Sequence, residues 1–202
     1  TELLFAVRMV DTDGHWYANF STWSNNPSRR LYHDGARLCR LDLETGRVDV
    51  LLEDATGGIR DPQVHYDGER ILFSYRVGGQ PYHHLHEIGV DGSGLTRLTA
   101  GPYDDIEPTY VPDGGIVFCS SRAKRMVNCY YTRVAILHRC NRDGSGIRML
   151  SSNIEHDNTP WPLPDGRLLH QRWEYIDRSQ TWYHHLWTMN PDGTRRDKLI
   201  HT

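Results

Sequence analysis

Apolar and polar residues along this chain change places in short bursts, and no stretch keeps an apolar period near 3.6 residues. The bursts run for three to five positions, as in Ile71-Leu72-Phe73, Ile116-Val117-Phe118 and Leu168-Leu169-His170, and Asp-Gly turns bound them. Asp-Gly supplies the positive φ that a tight hairpin needs, so alternating apolar runs around it predict antiparallel strands. The same grammar appears three times, with Pro62, Pro108 and Pro160 each followed six residues later by Gly68, Gly114 and Gly166. A second turn follows each time, at Asp91-Gly92-Ser93-Gly94, Asp143-Gly144-Ser145-Gly146 and Asp192-Gly193-Thr194. The prolines lie 46 and 52 residues apart, so one module spans close to 49 residues.

Within the first complete module the pattern predicts four strands: Gln63 to Tyr66, opened by Pro62; Arg70 to Tyr75; His84 to Val90; and Leu95 to Thr99. Upstream, Leu3 to Met9, Arg37 to Leu43 and Val48 to Leu52 read as the second, third and fourth strands of an incomplete module. Four antiparallel strands repeating every 40 to 50 residues are the pattern of a propeller blade. The expected fold is therefore all-β, a β-propeller segment of about four four-stranded antiparallel blades, part of a larger six- to seven-bladed ring. It covers 1–202 as a partial blade 1 (1–54, with an aromatic insertion at 9–30), blade 2 (59–100), blade 3 (105–151) and blade 4 (157–202).

Composition narrows the classes. Of 202 residues, 38% are hydrophobic and 24% charged, which fits a folded chain, and no apolar run approaches the roughly 18 residues of a membrane span. With 23 basic against 26 acidic side chains and no basic stripe, nucleic acid is not an expected partner. The chain opens on Thr1 without a basic segment leading into an apolar one, so an export signal is expected to have been removed or to lie outside this sequence. Cys39, Cys119, Cys129 and Cys140 show no C-x-x-C or C-x-x-C-H spacing. Buried strand thiols are the leading expectation for them, with a Cys119–Cys129 bridge across a hairpin as the alternative.

The P-x-x-x-x-D-G-x-x-I-x-F and D-G-S-G pair resembles the TolB-like propeller repeat. More specific strings are G-I-R-D-P-Q-V-H-Y (58–66), Y-D-D-I-E-P-T-Y (103–110), G-H-W-Y-A-N-F (14–20) and, within 151–193, E-H-D-N-T-P-W, Q-R-W-E-Y-I-D-R-S-Q and H-H-L-W-T-M-N-P-D-G. Together they resemble the propeller region of proteins similar to the hydrazine synthase alpha subunit, a group abundant among planctomycete-type bacteria, over essentially the whole chain. The resemblance implies a scaffold or substrate-channel role, an extracytoplasmic location (periplasm or an equivalent compartment) and other domains or subunits of the parent protein as partners. It also implies a parent that is a multi-haem oxidoreductase of nitrogen metabolism. The absence of C-x-x-C-H puts haem only in the parent's other domains. The alternatives are a TolB-like protein- or peptide-binding propeller and the regulatory propeller of a prolyl-oligopeptidase-like hydrolase.

The loops leading into the blades carry Arg60-Asp61, Asp104-Asp105-Glu107 and Glu155-His156-Asp157-Asn158. Converging at the channel, Asp105, Glu107, Glu155 and Asp157 would offer hard oxygens suited to calcium, while the plainer expectation is turn-capping. His83-His84 with His86 aligns with His184-His185 and Trp187 two blades on, but adjacent strand residues face opposite ways, so packing outweighs metal ligation. Asp11-Thr12-Asp13-Gly14 is a partial calcium-loop match, and a hairpin turn is its default reading. Trp16, Trp23, Trp173 and Trp182 fall in two insertions between second and third strands. Partner binding by these tryptophans and packing of the insertions on neighbouring blades are equally supported. No G-x-S-x-G, phosphate loop or H-E-x-x-H is written, so a self-contained catalytic site is not expected. Acid–base work, if present, would fall to the carboxylates that lead into the blades and to His156.

Overall fold

A computed structural model describes residues 1–9, 14–17, 20, 22–176 and 182–199. The Asp11–Asp13 stretch lies outside the described residues. Three four-stranded antiparallel sheets follow one another in strict chain order. Blade 2 is β6 (Gly58–Val64), β7 (Arg70–Arg76), β8 (His84–Gly89) and β9 (Thr96–Arg97). Blade 3 is β10 (Asp105–Tyr110), β11 (Ile116–Ser120), β12 (Ile136–Cys140) and β13 (Arg148–Met149). Blade 4 is β14 (Asp157–Pro162), β15 (Leu168–Trp173), β16 (His184–Met189) and β17 (Asp197–Lys198). Blade 1 has three strands, β1 (Glu2–Arg8), β4 (Ala36–Asp42) and β5 (Val48–Asp54), in the order β1-β4-β5. Between β1 and β4 the insertion folds a small hairpin of its own, β2 (Thr22–Trp23) with β3 (Asn26–Arg30).

Strand alternation stacks the blades. Along β7, Ile71, Phe73 and Tyr75 join Leu38, Ile59 and Ile88 against blade 1, whereas Leu72 faces the other way to meet Tyr110, Ile116 and Phe118 of blade 3. Along β11 the split repeats, with Ile116 and Phe118 toward blade 2 and Val117 and Cys119 toward Leu168 and Met189 of blade 4. These second strands are buried on both faces, which explains their unbroken apolar runs, while β1 keeps both ends exposed. The second Asp-Gly turn of each blade lies against the outer strand region of the blade before it. A Cβ on Gly144, at φ 83°, would collide with the Leu98 carbonyl oxygen, so only glycine fits that approach.

The inner strands differ from expectation. β6 starts at Gly58, five residues ahead of Gln63, and Pro62 lies within it at a register shift between Arg60 and Gln63. Equivalent shifts occur at Ile106/Thr109 and Asn158/Trp161. At each bulge the residue before proline takes positive φ: Asp61 at 57°, Glu107 at 51°, Thr159 at 52°. A bulge leaves an unpaired position, which accommodates the missing proline N–H inside a strand.

Candidate functional site

The three bulges form a connected line along the inner strands. Asp61 Oδ2 accepts the backbone N–H of Glu107 in the next blade at 3.0 Å. Glu107 Oε2 in turn accepts the backbone N–H of Thr159, one blade further, at 2.6 Å, and its hydroxyl at 3.4 Å. Arg60 sits between the two carboxylates, 2.5 Å from Asp61 and 3.3 Å from Glu107. Burial alone would lower the Arg60 pKa, but the neighbouring Asp61, Tyr32 and Glu107 hold it above the usual guanidinium value. Burial raises the Glu107 carboxyl against the opposing charge of Arg60. The Cys119 thiol, raised well above its ordinary value by burial, donates to Glu107 Oε2 at 3.5 Å. Backbone strain, a buried cation and two carboxylates are thus committed to joining blades 2, 3 and 4.

The four carboxylates considered as calcium ligands do not assemble into one site. Among the described residues no group of three or more His, Cys, Asp or Glu is placed to hold a metal. Asp105 is fully buried and bound to Ser120 Oγ at 2.7 Å and Arg122 at 2.8 Å. Glu107 serves the bulges. Asp157 accepts from Asn153 at 3.3 Å through Oδ1, and burial raises its pKa to about 6. Glu155 is fully buried with neither oxygen in a normal hydrogen bond, and burial raises it to about 7, opposed in part by the Asn128 backbone N–H. Desolvation is the largest cause of both shifts.

Glu155 makes a pH-dependent prediction. Its folded pKa lies above the ordinary 4.5, so the folded state keeps a proton that the unfolded chain has released. Stability therefore falls as pH rises from about 4.5 to 7. Glu155→Gln is expected to match wild type in urea unfolding at pH 4.5 and to exceed it by about 1–2 kcal/mol at pH 8. Equal stability at pH 8 would show that the ionised carboxylate is already solvated.

Three histidines make defined internal hydrogen bonds. His86 and His138 hold equivalent places in blades 2 and 3, each with Nδ1 3.0 Å from the carbonyl two residues earlier. His156 links the insertion to blade 3. Its Nδ1 accepts the Ala135 N–H at 2.8 Å, so Nε2 carries the proton and donates to the Tyr17 carbonyl at 2.9 Å. Burial lowers its pKa to about 4, which keeps the ring neutral. With both nitrogens engaged, His156 is removed from the acid–base role considered for it.

That link shows where the aromatic insertion goes. Trp173 is fully buried and stacks on Tyr17 at a 5.0 Å centroid distance, with Trp16 edge-on at 5.0 Å and His184 parallel at 6.2 Å. Phe20 reaches the core between blades 3 and 4. Trp23 is buried with Leu31, Tyr32 and Tyr130, capped by the Arg29 guanidinium at 4.1 Å. The two insertions thus pack against each other, and Trp16, Trp23 and Trp173 are spent on internal contacts. Trp182 remains 76% exposed. The His15–Tyr130 stack at 4.0 Å was not foreseen, and neither residue carries a sequence signal for it. All four cysteines are free; Cys119 is buried in β11 and Cys129 exposed in the β11–β12 connection, so the Cys119–Cys129 bridge is not formed.

Fold and inner-strand geometry together define a TolB-like β-propeller segment resembling hydrazine synthase. The sequence matches no family model and no curated protein. Among solved structures the chain is similar to the hydrazine synthase of Kuenenia stuttgartiensis, at TM-score 0.79 and 20% identity over 98% of this chain and 31% of that one. It also superposes on a TolB from Agrobacterium tumefaciens (0.63, 20%, 82% of this chain and 56% of that one). TolB from Acinetobacter baumannii gives 0.60 and 14%, over 83% and 38%. At these identities the likeness establishes the fold. No helix among the described residues is long and apolar enough to cross a membrane.

Proposed function

We propose that the chain is the propeller scaffold of an extracytoplasmic protein similar to the hydrazine synthase alpha subunit, docking other domains or subunits of its parent. In this reading the parent's haem chemistry lies in those other domains. The observation that carries it is the loop face around Trp182. The indole is 76% exposed, Ile176 in the same β15–β16 connection is also exposed, and so are Ile154 and Tyr131 in other connecting loops. Isolated exposed apolar residues are ordinary, but a tryptophan left largely exposed in a connection with a second exposed apolar residue fits an interface anchor. The loops are braced from behind: Arg125 donates to the Asn153 carbonyl at 2.8 Å, and Ser24 N–H to the Tyr131 carbonyl at 3.0 Å. Meanwhile Asp61 and Glu107 of the inner strands are occupied by inter-blade bonds, and Asp105 by Ser120 and Arg122 of its own blade, which supports a scaffold over a catalyst.

The test places a photo-crosslinking residue at position 182 of the full-length parent and, separately, at Leu95 on the turn between β8 and β9. Adducts to another domain or a co-purifying subunit are expected from position 182 alone. Equal yields from both positions, or none from 182, would overturn the docking face.

A further inference from the structure

We propose that a basic concavity on blade 3 binds a small organic anion, an aryl phosphate or carboxylate in chemical class. The cavity has a volume of about 300 Å³ and is lined by Ser24, Pro102, Tyr103, Lys124, Met126 and Arg133, with Arg125 alongside. Three segments distant in sequence build it: the turn after β2, the connection from blade 2 into β10, and the two arms of the long β11–β12 hairpin. Val134 N–H bonds the Arg125 carbonyl and Val127 N–H the Thr132 carbonyl, both at 3.0 Å, with a bridge between Met126 and Arg133. Partners across such a bridge project to one side, and Lys124 lines the same cavity.

Lys124, Arg125 and Arg133 gather here without a carboxylate partner among the described residues, in a chain whose formal net charge is −3. Arg125 donates to the Ser152 and Asn153 carbonyls. Arg133 has only a 3.5 Å contact to the Pro102 carbonyl and lies over the Tyr82 ring at 5.6 Å. Lys124 Nζ is 5.9 Å from the Tyr103 ring centre, and Arg122, over the same ring at 4.9 Å, is held by Asp105. Ser24 also lines the cavity, and its hydroxyl makes no hydrogen bond among the described residues.

The chemistry of the walls sets the class. A lysine, an arginine and a hydroxyl make a donor set for phosphate or carboxylate oxygens. Tyr103, Pro102 and Met126 add apolar faces, and the volume suits a body the size of one ring. A polyanion is disfavoured because the basic groups form a pocket with no stripe leading from it.

Calorimetric titration of the protein with phenyl phosphate and with benzoate tests this. At least one is expected to bind saturably at one site per chain, more tightly than inorganic phosphate, while benzyl alcohol does not bind. Lys124 sits at φ 55°, so Lys124→Asn removes the charge with a residue that tolerates this backbone, and Lys124→Gly serves as the second variant. Lys124→Asn and Arg133→Gln should each weaken binding about tenfold or more, Ser24→Ala a few-fold, and Arg37→Gln on blade 1 not at all. Each variant is first checked for an unchanged melting temperature. No saturable binding by either aryl anion would overturn the site, as would undiminished affinity in folded Lys124→Asn and Arg133→Gln. An acidic peptide that binds where both aryl anions fail would also overturn it, assigning the pocket to a protein partner.

Discussion

Trp173→Ala is expected to cost about 3–5 kcal/mol of stability, the range for removing a fully buried aromatic side chain. The indole has no exposed surface and lies between Tyr17, Trp16, Tyr175 and His184, with His156 tilted at 5.6 Å. Removing it takes away the surface against which the blade 1 insertion lies on blade 4. Two consequences follow at different places in the molecule. The urea midpoint falls with little change in slope, and the insertion becomes a site of proteolytic cleavage while the blades stay folded. Tyr17→Ala is expected to reproduce the cleavage with a smaller loss of stability, and the double variant to lose less than the sum, since the two rings stack on each other. A loss below about 1 kcal/mol for Trp173→Ala, or an insertion still protected from protease, would mean that His156 and Phe20 hold it unaided.

The blades could be read from the sequence because their determinants are local. Asp-Gly turns, alternating runs and a period near 49 residues all sit within a few positions of what they specify. What escaped was non-local or disguised. Pro62 read as a strand opener because proline lacks a donor, yet the positive φ of Asp61 and the register shift let it sit inside β6. The partners of the inner carboxylates lie on other strands, so Asp105, bound to Arg122 across its own blade, and Glu107, bound to Thr159 one blade on, looked in sequence like free ligands. The destination of the insertion was least legible. His156 reaches Tyr17 across 139 residues, and neither the aromatic content nor any spacing says which blade will receive it. The basic pocket was missed for the same reason. Ser24, Tyr103, Lys124 and Arg133 belong to three segments that carry no shared motif.

The line of bulges can be tested at its middle member. Glu107→Ala removes the acceptor of the Thr159 N–H, takes one of two carboxylates from buried Arg60, and places a residue with a Cβ but no polar side chain at φ 51°. An orphaned donor costs about 1–3 kcal/mol, and loss of half the charge compensation of a buried guanidinium adds to it. Asp61 still pairs with Arg60, which keeps the total below that of a wholly broken buried pair; about 3 kcal/mol is expected. Glu107→Gln retains an oxygen for Thr159 but not the charge, so it should lose about 1–2 kcal/mol. Combining it with Arg60→Met should cost less than the two changes separately, because the guanidinium that needed the charge is gone. If the bulges join blades as a unit, Asp61→Ala will also be non-additive with Glu107→Ala, through Arg60 and through the Glu107 N–H that Asp61 accepts. Strict additivity in urea unfolding would show instead that each blade boundary is held on its own. The repeat would then be a stack of independent contacts, with the apolar layers between β7 and β11 and between β11 and β15 carrying the cooperativity of the propeller.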